Sequence, residues 1–442
     1  MKNLNLLISG ALLVSVILAS CAPAVPPTEP TYPDDATGEP DQPLTTGEIK
    51  DVSGEQAYNT DPQATDEALV ALAESNNAFA LDLYQQLSTQ EGNLFYSPYS
   101  IYQALLMTYA GAEGNTASQM ESALHLPYTD NQIHEVMNAL NLRLEANTLK
   151  SNKPGFTFNV SNALWGQQGY EFLPAFLNAL SANYAAGLKT VDFNNPETAR
   201  QLINLWVAAQ TNDKIKDLIP QGVLNEMTRL VLTNAVYFKA AWLTQFDPAS
   251  TAEGAFTLSD GSTTQVPMMH LTHALNASAE GNLKVVELPY EGGTYSMVVM
   301  MPEDGKLAEF EQSLTQEKLN GILSGLGYAS VILTMPRFKV ESSFSLADQM
   351  EQLGMTDAFN PDLADFSGMN GKKELYVSSL IHKAFANVNE EGTEAAAATA
   401  VVVGVTSAPA EQYTITLDKP FLFLIRDNAT NTILFIGRVA HP

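Results

Sequence analysis

A chain of 442 residues with 45% hydrophobic side chains is large and apolar enough to bury a core, which excludes a wholly disordered protein. Its 49 acidic residues outnumber 22 basic ones, a formal charge of −27, so nucleic acid or an anionic membrane surface would repel it. The excess charge favours solubility and steers a basic partner toward the molecule.

Lys2 is followed by an apolar run from Leu6 to Leu18 and then by small residues up to Cys21, the single cysteine. The run is too short to cross a bilayer, so residues 1–20 read as a secretion signal. Leu18-Ala19-Ser20-Cys21 resembles the lipobox of bacterial lipoproteins. That resemblance implies removal of the signal ahead of Cys21, acylation of the cysteine, and a stable extracytoplasmic membrane anchor at the cell envelope or cell surface. With no second cysteine, the secreted part must fold without disulfides. Residues 21–66 are rich in proline, threonine and acid and poor in large apolar side chains, which predicts a disordered tether.

Leu69, Leu72, Phe79, Leu83 and Leu87 recur at helical spacing and open a single mixed domain over residues 67–442. Further helical patterns lie at 100–109, 131–149, 174–184 and 196–210. Strand-like runs lie at 229–238, 284–289, 295–301, 331–335, 374–380, 382–389, 414–417, 421–426 and 432–439. Helices crowd the first half and strands the second, the pattern of an α+β fold with segregated layers. Enzymatic motifs are missing from the sequence: it has no Gly-x-Ser-x-Gly elbow, no His-Glu-x-x-His and no phosphate loop. His270 and His273 stand three apart without further ligands in pattern. No catalytic residue, metal or cofactor is expected.

The segment after Asn389 is unusual. Four alanines, Ala395 to Ala398, favour helix, whereas Thr399 and Val401 to Val403 favour strand, so local propensity selects neither state. Drawn as a strand, it puts Thr393, Ala395, Ala397, Thr399 and Val401 on one face and Glu394, Ala396, Ala398 and Ala400 on the other. No proline falls between Thr393 and Val405, so every residue there could join a central ladder, while Pro409 could not.

Glu390-Glu391-Gly392-Thr393-Glu394-Ala395-Ala396-Ala397-Ala398-Thr399 resembles the hinge of inhibitory serpins. Other blocks resemble the same family in order: Asn93 to Ile101, Gly111-Ala112 with Gly114-Asn115-Thr116, Ile203 to Val207, Thr233 to Lys239 with Trp242, Val266 to Met269, Pro336-Arg337-Phe338 and Phe421 to Arg426. The resemblance implies a serpin fold of about nine helices around three β-sheets, with an exposed reactive-centre loop. By hinge spacing it implies a scissile bond between Thr406 and Ser407, or one residue earlier. It implies that Ser97, Ser100, Asn234 and His382 form a polar cluster where the central sheet opens, and that Lys239 and Trp242 mark where the loop enters. The activity it implies is inhibition of a serine protease, elastase-like or subtilisin-like because Gly404, Val405, Thr406 and Ala408 are small or β-branched and uncharged. The alternative is a non-inhibitory member acting as a carrier or chaperone; such members usually carry charge or bulk in the hinge, which Thr393 to Thr399 lacks beyond Glu394. A solute-binding lipoprotein ranks behind both. A monomer is expected, with no heparin dependence, since residues 131–150 hold only Arg143 and Lys150 as cations.

Overall fold

The computed structural model describes residues 49–150, 157–279, 281–393 and 411–442. The signal segment and most of the expected tether lie outside them. Ten α-helices occur among the described residues: α1 (Asp66–Leu87), α2 (Pro98–Tyr109), α3 (Gly114–Ala123), α4 (Asp130–Lys150), α5 (Pro174–Tyr184), α6 (Pro196–Gln210), α7 (Leu307–Gln312), α8 (Gln316–Ser324), α9 (Ala347–Gln352) and α10 (Ser367–Asn370). Thr65 caps α1 by accepting from the Ala68 amide, and Asp66 and Glu67 in the first turn suit the positive end of the helix dipole. Ser97 caps α2 in the same way, with Pro98 preset for the first helical turn.

The strands are β1 (Lys50–Val52), β2 (Leu94–Tyr96), β3 (Thr157–Gln167), β4 (Leu188–Val191), β5 (Leu230–Ala241), β6 (Ala252–Thr257), β7 (Thr263–Ser278), β8 (Leu283–Pro289), β9 (Tyr295–Pro302), β10 (Gly327–Pro336), β11 (Phe338–Ser345), β12 (Val377–Val388), β13 (Gly392–Thr393), β14 (Gln412–Thr416), β15 (Phe421–Asp427) and β16 (Ile433–Val439). They make a seven-stranded sheet in the order β1-β4-β3-β5-β13-β12-β11 and a nine-stranded sheet in the order β14-β10-β7-β8-β9-β15-β16-β2, with β6 on β7. Two sheets, not the three expected, are present among the described residues. The cause is β7, whose sixteen residues pair in turn with β6, β10 and β8, so hydrogen bonding runs without a break through what would otherwise be two sheets.

The core lies between the sheets. Phe158 and Phe238 of the smaller sheet meet Phe435 of the larger, and Phe95 stacks on Phe423 and Phe435. Helix α2 packs on β3 and β5 from this side and also touches β16. On the opposite face, Trp206 of α6 meets Trp165 of β3 edge-on at 5.4 Å. Covered on both faces, β5 is buried along nearly its whole length, which is why Leu230 to Phe238 reads as a nearly unbroken apolar run.

The expected tether ends earlier than residue 66. Residues 50–52 pair with β4, and the following stretch bonds to α5 through Asn178, Ser181 and Ala182. Its composition misleads because its ordering comes mostly from hydrogen bonds to the domain, with few side chains of its own, such as Val52 against the core and Asp51 paired with Lys189.

Candidate functional site

Two strands that touch along most of their length separate at one end, and the chain folds back into the gap. β5 and β12 run parallel and pair from Val377 with Leu230 up to Phe385 with Tyr237. Beyond that point β12 ends at Val388, and a turn follows in which the Asn389 amide donates to the Gly392 carbonyl. The Asn389 side-chain oxygen accepts from the amides of Glu391 and Gly392. Gly392 and Thr393 then form β13 antiparallel to both flanking strands: Thr393 faces Val388 on one side and Ala240 on the other, and Gly392 faces Ala241. A Cβ on Gly392 would lie 2.0 Å from the Ala240 carbonyl oxygen, so only glycine fits here.

Aromatic and charged groups hold this wedge. The Thr393 hydroxyl lies 2.7 Å from that of Tyr290, whose ring stacks on Trp242 at 4.6 Å. Trp242 donates its indole N–H to the Asn389 carbonyl at 2.9 Å and its amide to the Glu391 carbonyl at 2.9 Å. Just ahead of the wedge, the buried carboxylate of Glu390 receives the Arg337 guanidinium at 2.6 Å and the Thr251 hydroxyl. Burial alone would raise the Glu390 pKa; the hydrogen bonds from Arg337 and Thr251 outweigh it and hold the carboxyl below its ordinary range. Lys239 sits half-buried on β5 opposite Thr157, one residue before Ala240.

Below the gap, where β5 and β12 close, the four polar residues singled out in the sequence come together. His382 faces Asn234 across the strand pair, and both are fully buried. The Ser97 amide donates to His382 Nε2 at 3.2 Å, which leaves Nδ1 as the protonated nitrogen, donating to Asn234 Oδ1. The Asn234 amide in turn donates to the Ser100 hydroxyl and to Asn162 Oδ1. Ser97 donates its hydroxyl to the Leu434 carbonyl at 2.7 Å, tying the cluster to the other sheet. Burial drives the His382 pKa down to about 3, so the ring is neutral. Both ring nitrogens are occupied, leaving none free for acid–base work. The cluster acts as a clasp: it joins β5 to β12 with side-chain hydrogen bonds that can open without breaking a covalent bond.

Asn162 and Gln103 complete this clasp and were not singled out in the sequence; Asn162 donates to the Ser100 carbonyl and to Gln103 Oε1, each at 3.0 Å. Arg337, Thr251 and Tyr290 were likewise not assigned to the hinge. Cys21, Glu394, Ala395, Ala396, Ala397, Ala398, Thr399, Thr406 and Ser407 lie outside the described residues. The chain is described again from Glu411, and β14 pairs in parallel with β10 in the nine-stranded sheet. The segment between the wedge and β14 therefore connects the two sheets.

A family model described as "Serpin (serine protease inhibitor)" matches residues 74–442. Leukocyte elastase inhibitor A of Rattus norvegicus is 40% identical over 384 residues, covering 84% of this chain and 99% of that protein. Antithrombin-III of Mus musculus is 40% identical over 394 residues, covering 86% of this chain and 84% of that protein. Among solved structures, the thermophilic serpin tengpin in its native state superposes with a TM-score of 0.78 at 28% identity, covering 89% of this chain and all of the other.

Proposed function

The chain belongs to the serpin family, and we propose that it inhibits serine proteases by suicide-substrate trapping at the bond between Thr406 and Ser407. The observation that carries this is the wedge of Gly392 and Thr393 between two strands whose mutual register already matches a third strand between them. Continuing that register, each residue from 396 to 402 would meet one residue of β5 and the residue of β12 that now pairs with it. Thr399 would arrive opposite both Asn234 and His382, and Val403 opposite Leu230, the first residue of β5. Ala395, Ala397, Thr399, Val401 and Val403 would face the α2 side, where small side chains are needed. Glu394 would arrive opposite the half-buried Lys239, a place for a cross-strand ion pair. The slot ends just short of Thr406, so its length suits a strand released by cleavage there.

In the trapping step the protease serine oxygen bonds to the Thr406 carbonyl carbon, the Thr406–Ser407 amide bond breaks, and Ser407 leaves with a protonated amine. Residues 394–403 then enter the sheet and carry the acyl-linked protease with them, and distortion of its oxyanion hole slows hydrolysis of the ester. Small, uncharged residues at Gly404, Val405, Thr406 and Ala408 favour an elastase-like or subtilisin-like target. Supporting the inhibitory reading over a carrier or chaperone, the relatives above are named as an elastase inhibitor and an antithrombin. Lipid anchoring through Cys21 rests on the lipobox-like sequence, and a Cys21→Ser protein should leave the membrane fraction.

The test is incubation with neutrophil elastase and with subtilisin, followed by a denaturing gel. An adduct at the summed mass that survives denaturation is expected with at least one of them. Complete cleavage of the loop by both, with no adduct, would refute trapping.

A further inference from the structure

We propose that trapping carries the protease to the end of the sheet from which the membrane tether leaves, and that the tether is the spacer that makes room for it between the domain and the bilayer. This rests on the trapping and lipid-anchoring readings above. One row of residues crosses four strands: Lys50 of β1 pairs with Thr190 of β4, Thr190 with Gly166 of β3, and Gly166 with Leu230 of β5. Leu230 is also where Val403 would arrive on insertion, at the far end of β5 from Ala241, which Gly392 faces. Strands about 4.8 Å apart put Lys50 roughly 20 Å from that place. The strand directions agree. β5 runs from Leu230 toward Ala241, β3 is antiparallel to β5, β4 is parallel to β3, and β1 is antiparallel to β4. β1 therefore starts in the Leu230 row and runs away from it, so the chain ahead of Lys50 leaves past that row. Thr406 lies three residues beyond Val403 and would extend about 10 Å past the same row.

An anchored molecule therefore offers its bait at one end of the sheet and holds its captive at the other. Before cleavage the chain enters the loop beside Ala240, about 33 Å along the strand from the row that carries the tether. After insertion the acyl bond stands on the tether side, and the protease has to occupy space between the domain and the lipid. A protease domain of about 250 residues is about 45 Å across. The 28 residues from Ala22 to Ile49 can reach about 85 Å at the rise of a polyproline chain, whereas a freely coiling chain of that length averages about 30 Å. Only the longer reach exceeds the protease. Seven prolines and six acidic residues, with no basic one, favour that longer reach, because proline stiffens a linker and like charges extend it. The composition of the tether thus matches the load that the strand registers deliver beside it.

The test compares the full-length lipidated protein in phosphatidylcholine vesicles with a variant lacking residues 26–43 in the same vesicles, and both again in solution as Cys21→Ser proteins. The deletion leaves residues 22–25 and 44–49, which reach about 30 Å and cannot clear the protease. The first reading is the number of inhibitor molecules consumed per protease trapped, with whichever of elastase and subtilisin forms the adduct. In solution the long and short proteins should agree within about twofold. On vesicles the parent should keep its soluble value, the shortened protein should consume at least about threefold more, and a Pro/Glu-rich segment of the same length put back in place of residues 26–43 should restore the parent value. The second reading is quenching of a dye on the protease by a quencher lipid in the vesicle, which should rise on adduct formation with the parent and not with a protease whose serine is blocked. Equal consumption by the long and short proteins on vesicles, or quenching that does not rise on trapping, overturns the proposal. A soluble parent that is cleaved without an adduct would show that trapping has failed, and a Cys21→Ser protein that stays on vesicles would show that lipid anchoring has failed; the spacer falls with either. Normal trapping and normal release from vesicles, with no effect of tether length, reject the spacer alone.

Discussion

His382 is a base kept neutral by its surroundings, and that has a direct consequence for stability in acid. Burial lowers its pKa to about 3 in the folded protein, whereas the unfolded chain binds a proton near pH 6.5. Between those values the unfolded state holds the extra proton, so stability is complete above about pH 6.5 and is lost as the pH falls toward 3. The full slope is about 1.4 kcal/mol per pH unit. His134, buried against Tyr184 and pushed to about 4, adds a second contribution of the same sign. Urea midpoints converted to stability between pH 4.5 and 6 should therefore fall steeply in the parent, and the slope should shrink by roughly 1 kcal/mol per unit in His382→Gln. An unchanged slope would mean that His382 is already protonated in the folded protein. Ser97, Ser100 and Asn234 could be picked from the sequence because each lies in a recognisable block, whereas His382 lies in none and was reached only through the family resemblance. Asn162 could not, since only the register of β3 against β5 places it opposite Asn234, 72 residues on. The Glu390 partner Arg337 was hidden for the same reason: the pair joins the end of one hinge to the junction of β10 and β11.

At the level of elements, strands covered on both faces were easy to read and those with mixed faces were not. β5, β9, β15 and β16 are buried almost throughout and appear in the sequence as apolar runs. β3, β7 and β11 carry polar residues in alternation or at irregular intervals and gave no clear run. The stretches 374–380 and 382–389, read as two strands, are mostly one: β12 continues through His382, whose polar side chain is buried in the clasp. Two residues of strand β13, Gly392 and Thr393, are described, and nothing local to them announces it; the gap between its neighbours creates it. If the proposed insertion occurs, the register leading from it would bring residue 399 between Asn234 and His382. A Thr399→Arg protein would have to bury an unpaired guanidinium there, at a cost of several kcal/mol. It should still be cut by the protease, yet the number of inhibitor molecules consumed per protease trapped should rise at least about tenfold. Ala410→Arg, beyond the slot, should leave that number near the parent value. Equal partitioning in both variants would show that residue 399 does not enter the sheet.

For the whole molecule, the sequence indicated the class and the layers but not how many sheets hydrogen bonding would join, because that depends on whether β7 stays continuous across its bend. It also put the tether's end at residue 66, whereas the domain recruits residues from Lys50 onward. What matters most at this scale is that β5 and β12, paired along most of their length, splay at one end around β13, so the proposed function needs them to part further and admit more of the chain. If residues 394–403 enter the sheet after cleavage, the one ladder between β5 and β12 is exchanged for two, so the sheet gains one strand's worth of ladder bonds at roughly 1 kcal/mol each, against the entropy of ordering the segment. Limited cleavage between Thr406 and Ser407, confirmed by the masses of the two fragments, should therefore make the protein more resistant to heat, although a cut chain ordinarily becomes less so. A cut protein that melts at the temperature of the intact one would show that no strand is added between β5 and β12, and the sheet would then store no energy for trapping.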